Sequence, residues 1–130
     1  MTIFSKIIAQ QIPSYKIAEN DRFYAFLDIS PLVKGHTLVV PRQEVDKFFD
    51  LSGYDLQEMM LFARPIAKAI EQAFNCKRCG LAAIGLEVPH AHLHLVPINS
   101  AGDLNFTRAK LSPTAEEMQE AQQAILRHLP

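Results

Sequence analysis

Three of the chain's five histidines, His90, His92 and His94, fall at alternate positions within five residues. In an extended strand, side chains at i, i+2 and i+4 share one face, about 6.6 Å apart along the chain. The run Pro89-His90-Ala91-His92-Leu93-His94-Leu95-Val96-Pro97 thus puts an imidazole row on one side and Ala91, Leu93 and Leu95 on the other, which must be core. Three readings compete for the imidazole side. It can be a histidine-rich surface strand with no chemistry. It can chelate one zinc and leave a position open for a hydrolytic water. Or one imidazole is a nucleophile that its neighbours position together with the substrate. Clustering favours the nucleophile, because close imidazoles repel one another's protons and at least one stays neutral near pH 7. A neutral imidazole approaches an anionic phosphate without charge repulsion, and its phosphoryl adduct is reactive enough to pass to water.

The elements that must position this row are readable from periodicity. Ile3, Phe4, Ile7 and Ile8 have helical spacing within residues 3–11, and Pro13 ends that helix. Strands are expected at Tyr15 to Ala18 and Phe23 to Asp28, joined by a turn-rich tetrapeptide, and at His36 to Pro41. The longest helix spans residues 53–74, with Ser52 as N-cap, Leu56, Met59, Met60, Ala63, Ala67, Ile70 and Phe74 as its apolar stripe, and Pro65 as a kink. A second strand pair covers Leu81 to Leu86 and Val88 to Ile98, and a last amphipathic helix spans residues 114–128 with Thr114 as cap. The pattern is α+β, an antiparallel sheet with flanking helices.

Length and composition set the outer bounds. The 130 residues suffice for one compact domain with a C-terminal appendage, and 48% hydrophobic against 21% charged residues is the balance of a chain with a real core. Thirteen Lys and Arg against 14 Asp and Glu give a net charge of −1, so no overall basic field invites nucleic acid. The N-terminus lacks the apolar core of a signal peptide, and no apolar run approaches the ~20 residues of a membrane span. A cytoplasmic location is expected, with both thiols reduced. Cys76-Lys77-Arg78-Cys79 spells C-x-x-C, but it follows a helix and lacks a second ligand pair, so it reads as coincidence.

His90 to Val96 matches the pattern His-φ-His-φ-His-φ-φ in full, and the chain here resembles the histidine triad (HIT) family of nucleotide hydrolases and transferases. Ile3-Phe4-Ser5-Lys6-Ile7-Ile8, Ala25-Phe26-Leu27-Asp28-Ile29-Ser30-Pro31 and Gly35-His36-Thr37-Leu38-Val39-Val40-Pro41 support the resemblance in the family's order, over about residues 3–100. It implies a HIT-like domain over residues 1–108 with a helical extension over 109–130, and a homodimer with the long helix at the interface. The Met59-Met60-Phe62 cluster is consistent with such a second apolar face.

The resemblance also assigns roles. His92 is the nucleophile on the α-phosphorus of a nucleoside 5′-phosphate derivative, giving a nucleotidyl-histidine that water resolves. His94 contacts the phosphate and leaving-group side, His90 buttresses the strand and the nucleophile, and His36 hydrogen-bonds within the triad from another strand. Asp28 holds the ribose hydroxyls. Ile3, Phe4, Ile7, Phe26 and Ile29 form the slot for a purine base, and Asn99, Ser100 and Gly102 follow the triad as donors to phosphate or as turn formers. His128 matches nothing in the family.

The departures are as informative. Many bacterial relatives bind zinc through Cys-x-x-Cys near the N-terminus and a later histidine; here those positions are Thr2, Ser5 and Glu44, so no metal or other cofactor is expected. The usual Gly-Gln-Ser/Thr-Val before the triad reads Gly85-Leu86-Glu87-Val88, after a shortened loop. This removes polar groups from the leaving-group side and adds a carboxylate, whose charge costs affinity for an anionic substrate unless it is paired or pointed away, or instead favours a cationic amine leaving group. The expected activity is hydrolysis of a purine nucleoside 5′-phosphoramidate or similar small nucleotide. The alternatives are a dinucleoside polyphosphate hydrolase or nucleotidyltransferase, and a non-catalytic nucleotide-binding regulator.

Overall fold

The structure, a computed structural model, describes residues 1–130. A short helix α1 (Ile3–Ile8) leads into strands β1 (Lys16–Glu19), β2 (Phe23–Leu27) and β3 (Thr37–Pro41). The long helix α2 (Gly53–Ala73) follows, then β4 (Arg78–Ala82), β5 (Leu93–Ile98) and α3 (Ala115–Leu126). The five strands form one antiparallel sheet in the order β1-β2-β3-β5-β4, so β4 is a free edge.

Alternation along each strand divides the core in two. Phe23, Ala25 and Leu27 of β2, Val39 of β3, and Leu93 and Leu95 of β5 face α2 and α3, packing with Met59, Ala63, Ile66 and Ile70 of the long helix. Met118, Ala121 and Ile125 of α3 belong to the same cluster, so the C-terminal helix completes the main core. On the opposite face Tyr24 and Phe26 of β2 and Leu38 and Val40 of β3 pack against Phe4 and Ile7 of α1. His92 and His94 share this second face, as the period of two requires.

Capping sets the helix starts. The Ser52 hydroxyl accepts from Asp55 N at 3.0 Å, and Thr114 and Glu117 form a reciprocal capping box. Helix α2 runs unbroken through Pro65. Its buried Asp55 accepts from Arg22 Nε at 2.8 Å, tying the helix start to the β1–β2 turn.

Two strand expectations need correction, and both concern the site. The β4 strand occupies 78–82 rather than 81–86, and β5 begins at Leu93 rather than Val88. Of the triad, only His94 therefore lies in a strand. The ladder between β3 and β5 pairs Val39 with Leu93, and further along β3 Pro41 has no N–H to offer. The backbone turns out instead, Ala91 N donating to Val45 O at 2.6 Å. The first helix is also shorter than expected, ending at Ile8 before Gln10 adopts a positive φ of 63°.

Candidate active site

His36 enters the site because of the residue before it. Gly35 has φ +96°, and a Cβ there would collide with the Phe74 ring, so the turn into β3 admits glycine alone. The turn brings Leu32 N within 3.0 Å of His36 Nδ1. An N–H donor at Nδ1 requires a lone pair there, so the His36 proton sits on Nε2. That proton points at His94 Nδ1, 2.9 Å away. His94 Nδ1 is then the acceptor, and its own N–H is at Nε2.

The same reasoning fixes His92. Its Nδ1 lies 2.7 Å from the carbonyl oxygen of His90, which can only accept, so the proton is on Nδ1 and Nε2 carries a free lone pair. His90 is fully buried, with Nε2 donating to Pro41 O at 2.8 Å and Nδ1 2.7 Å from the Thr2 hydroxyl. The His92 and His94 ring centres are 4.8 Å apart, and Phe4 lies edge-on to His92 at 5.0 Å.

Burial then sets the charge state. It pushes the His92 pKa below the ordinary histidine value, the His36 value down to about 4 and the His94 value down to about 3. All three are neutral at pH 7. Asp28 sits beside them, Oδ1 accepting from Ser30 N at 2.9 Å and Oδ2 3.8 Å from His36 Nε2; burial raises its pKa.

Other expected site residues divide by position. Phe4 is buried edge-on to His90 and His92 with Ile7 and Phe26 in the same apolar cluster, whereas Ile3 and Ile29 are exposed, Ile29 at 68%. Asn99 and Ser100 are not brought to the triad. They lie beyond the end of β5, and a strand rising ~3.4 Å per residue carries Asn99 roughly 17 Å from His94. Asn99 Oδ1 accepts from Lys77 N, and the Asn99 and Ser100 backbone N–H groups donate to Asp103, so both residues take part in the turn after β5. Cys76 and Cys79 are free thiols, and burial pushes Cys79 up to about 12, well away from thiolate chemistry.

Two possible metal sets do not fit a metal. Asp28, His36 and His94 offer ligand atoms within 4.8 Å of one another, but the His36 nitrogen concerned carries the proton given to His94. Thr2, Ser5, Glu44 and His90 do meet. Glu44 Oε1 accepts from Thr2 N at 2.8 Å and from Ser5 Oγ at 2.7 Å, while Thr2 reaches His90. Two neutral hydroxyls are poor zinc ligands, and the free imidazole lone pair is already occupied. A hydrogen-bonded clasp therefore joins α1, the segment after β3 and His90.

Sequence reasoning missed one contributor. Phe106, in the segment after β5, lies edge-on to His94 at 4.6 Å and to His36 at 6.0 Å, shielding their hydrogen bond. No spacing marked it, because it sits in a turn-rich stretch without periodicity.

A model of the HIT domain matches residues 9–101. The chain belongs to the HIT family. Among relatives of this HIT chain, the adenosine 5′-monophosphoramidase of Saccharomyces cerevisiae is 38% identical over 96 residues, which cover 73% of this chain and 61% of that protein. Protein hit of Bacillus subtilis is 38% identical over 107 residues, covering 78% and 73%. Among solved structures, a Hit-like protein involved in cell-cycle regulation from Bartonella henselae superposes with a TM-score of 0.85 at 28% identity, covering 98% of this chain and 96% of that one. The antiparallel sheet with flanking helices is thus the HIT fold, with α3 included in the match.

Proposed function

We propose that this HIT chain hydrolyses nucleoside 5′-phosphoramidates, the purine nucleotides first, through a covalent nucleotidyl-His92. The observation that carries the reading is the His92 tautomer: Nδ1–H is held by the His90 carbonyl, and Nε2 is neutral and unprotonated. Nε2 attacks the α-phosphorus and the P–N bond breaks, the nitrogen leaving as a neutral amine from its protonated form. The imidazole becomes a cation whose Nδ1–H bond to the carbonyl strengthens as the charge grows. Water then adds to phosphorus, the P–Nε2 bond breaks with its electron pair returning to the ring, and the extra proton passes to solvent. His94 Nε2–H orients a phosphoryl oxygen, and His36 keeps that proton in place by donating to Nδ1. Asp28 is read as the ribose acceptor, Phe4, Ile7 and Phe26 as the inner wall of the base slot, and Ile3 and Ile29 as its open rim.

The charge of Glu87 favours this reading over polyphosphate cleavage. It acts on both His92 and Asp28, so a leaving group that brings further negative charge is disfavoured relative to a neutral amine. The activity of the yeast relative points the same way. With adenosine 5′-phosphoramidate and a diadenosine polyphosphate supplied separately, AMP release is expected to be at least about tenfold faster from the phosphoramidate, whose leaving group adds no like charge to a site that holds Asp28 and Glu87. Faster polyphosphate cleavage would overturn the assignment, and tight AMP binding with no release from either would favour the regulator.

The homodimer belongs to the same reading. An apolar groove of about 470 Å³ runs between α2 and the free edge β4, lined by Met60, Leu61, Ala63, Ala67, Leu81 and Leu95. A second groove, about 620 Å³, connects Met60 and Leu81 to His92 past Phe48 and Ile84. A second copy docked on β4 would bury the first groove and wall the leaving-group end of the other. Light scattering is expected to give twice the 14.6 kDa chain mass, and Leu81→Glu to give the monomer. No helix is long and apolar enough to cross a membrane, and a reducing, cytoplasmic setting suits the two free thiols.

A further inference from the structure

The neutral triad leaves a charge problem. If the substrate is a nucleotide, as proposed above, its α-phosphate brings at least one negative charge to a site where His36, His92 and His94 carry none and where Asp28 and Glu87 are acidic. Some cation has to face it.

The segment between β5 and α3 supplies a candidate. It folds back against His94 and His36 through Phe106 and is pinned there: Leu111 N donates to Pro31 O at 2.9 Å and Arg108 Nη2 to Leu32 O at 3.1 Å. Leu32 is the residue whose N–H fixes the His36 tautomer, so this strap is tied to the loop that organises the relay. Phe106 packs its edge on His94 and His36. The Lys110 ammonium curls back over Phe106, donating to its carbonyl at 2.7 Å and standing 5.9 Å from its ring centre. Arg108, by contrast, is engaged with Asp103 at 3.6 Å as well as with Leu32. Lys110 makes no ion pair. Its charge is felt at Asp28, His36 and His94 together, the three groups that surround the expected phosphate and ribose positions.

We infer that Lys110 is the counter-charge for the substrate's α-phosphate, held over the His94 side of the site by Phe106. It is a binding residue from outside the stretch that the HIT domain model matches, residues 9–101. Its ammonium and His94 Nε2–H approach the phosphoryl oxygens from the same side, while the nucleophilic Nε2 of His92 stays free. A flexible lysine at the edge is suited to this: it meets the phosphate when bound and withdraws to the Phe106 carbonyl when the product leaves. The chemistry selected is a nucleoside carrying a 5′-phosphoryl group, with little gain for the nucleoside alone.

The test is binding of AMP and of adenosine to the full-length protein by calorimetry, for wild type, Lys110→Ala, Lys110→Arg and a control that removes a remote exposed charge, Lys77→Ala. Losing a charged hydrogen bond to phosphate is expected to weaken AMP about 10- to 100-fold in Lys110→Ala. Adenosine binding should move less than about twofold, Lys110→Arg should recover most of the AMP affinity, and Lys77→Ala should behave as wild type. AMP affinity that is unchanged in Lys110→Ala, or that falls in parallel with adenosine, overturns the assignment, as does a wild-type protein that binds AMP no better than adenosine. A wild-type protein that binds AMP through Lys110 yet releases none from adenosine 5′-phosphoramidate removes the hydrolase reading and supports this one.

Discussion

Replacing His92 with Ala is expected to lower AMP release from adenosine 5′-phosphoramidate by at least about a thousandfold, because no other side chain offers a free, neutral nitrogen at that place. His94 Nδ1 is occupied by His36 and its Nε2 is protonated, and both nitrogens of His90 are engaged. The measurement that separates nucleophile from bystander is the intermediate. Acid-quenched wild-type turnover should leave a nucleotidyl group on the peptide containing His92, and the variant should leave none. Equal AMP release from both proteins would end the nucleophile assignment. His94→Ala should retain the adduct while forming it more slowly, since that residue orients rather than attacks.

The second large effect is on stability in acid. His36 and His94 have folded pKa values of about 4 and about 3, below the 6.5 of a free histidine. A depressed histidine stabilises the fold in full above its unfolded pKa. As the pH falls below 6.5 the unfolded chain takes up protons that the folded chain refuses, and the contribution is lost progressively down to the folded value. At about 1.4 kcal/mol per unit, His36 alone accounts for roughly 3 kcal/mol between pH 7 and pH 4. Asp28 acts with the opposite sign, its raised pKa adding stability only as the pH approaches the carboxylate range. Urea unfolding of the wild type across pH 7 to 4 should therefore show a steep loss, and His36→Asn a shallower one from a lower starting stability. Parallel curves would mean that His36 is not held neutral. The lowered His92 value has a kinetic counterpart: the acid limb of the rate profile should lie below pH 6.5.

Much of this was legible in the chain. The period of two around the triad already separated the imidazole face from Ala91, Leu93 and Leu95, and the structure puts those three in the main core. Ser52 and Thr114 announced their helices. Alternation did not reveal where the strand begins, because an extended segment alternates whether or not a neighbour pairs with it, and pairing depends on the missing N–H of Pro41 in a distant element. Nor could it reveal tautomers. The His92 proton is placed by a backbone carbonyl two residues away, and the His36 proton by Leu32 N, neither of which has a side-chain signature. Phe106 and Lys110 escaped for the same kind of reason: a strap without periodicity gains its place from hydrogen bonds to Pro31 and Leu32. Asn99 and Ser100 drew attention by following the triad, but along a strand proximity in sequence is distance in space.

The clasp of Thr2, Ser5 and Glu44 on His90 has a physiological corollary. A tie built from thiolates and a metal fails under oxidants and chelators, and its assembly competes for scarce zinc. Hydroxyls and a carboxylate have nothing to oxidise and nothing to load. This clasp closes as the chain folds, with no thiol to protect and no ion to load.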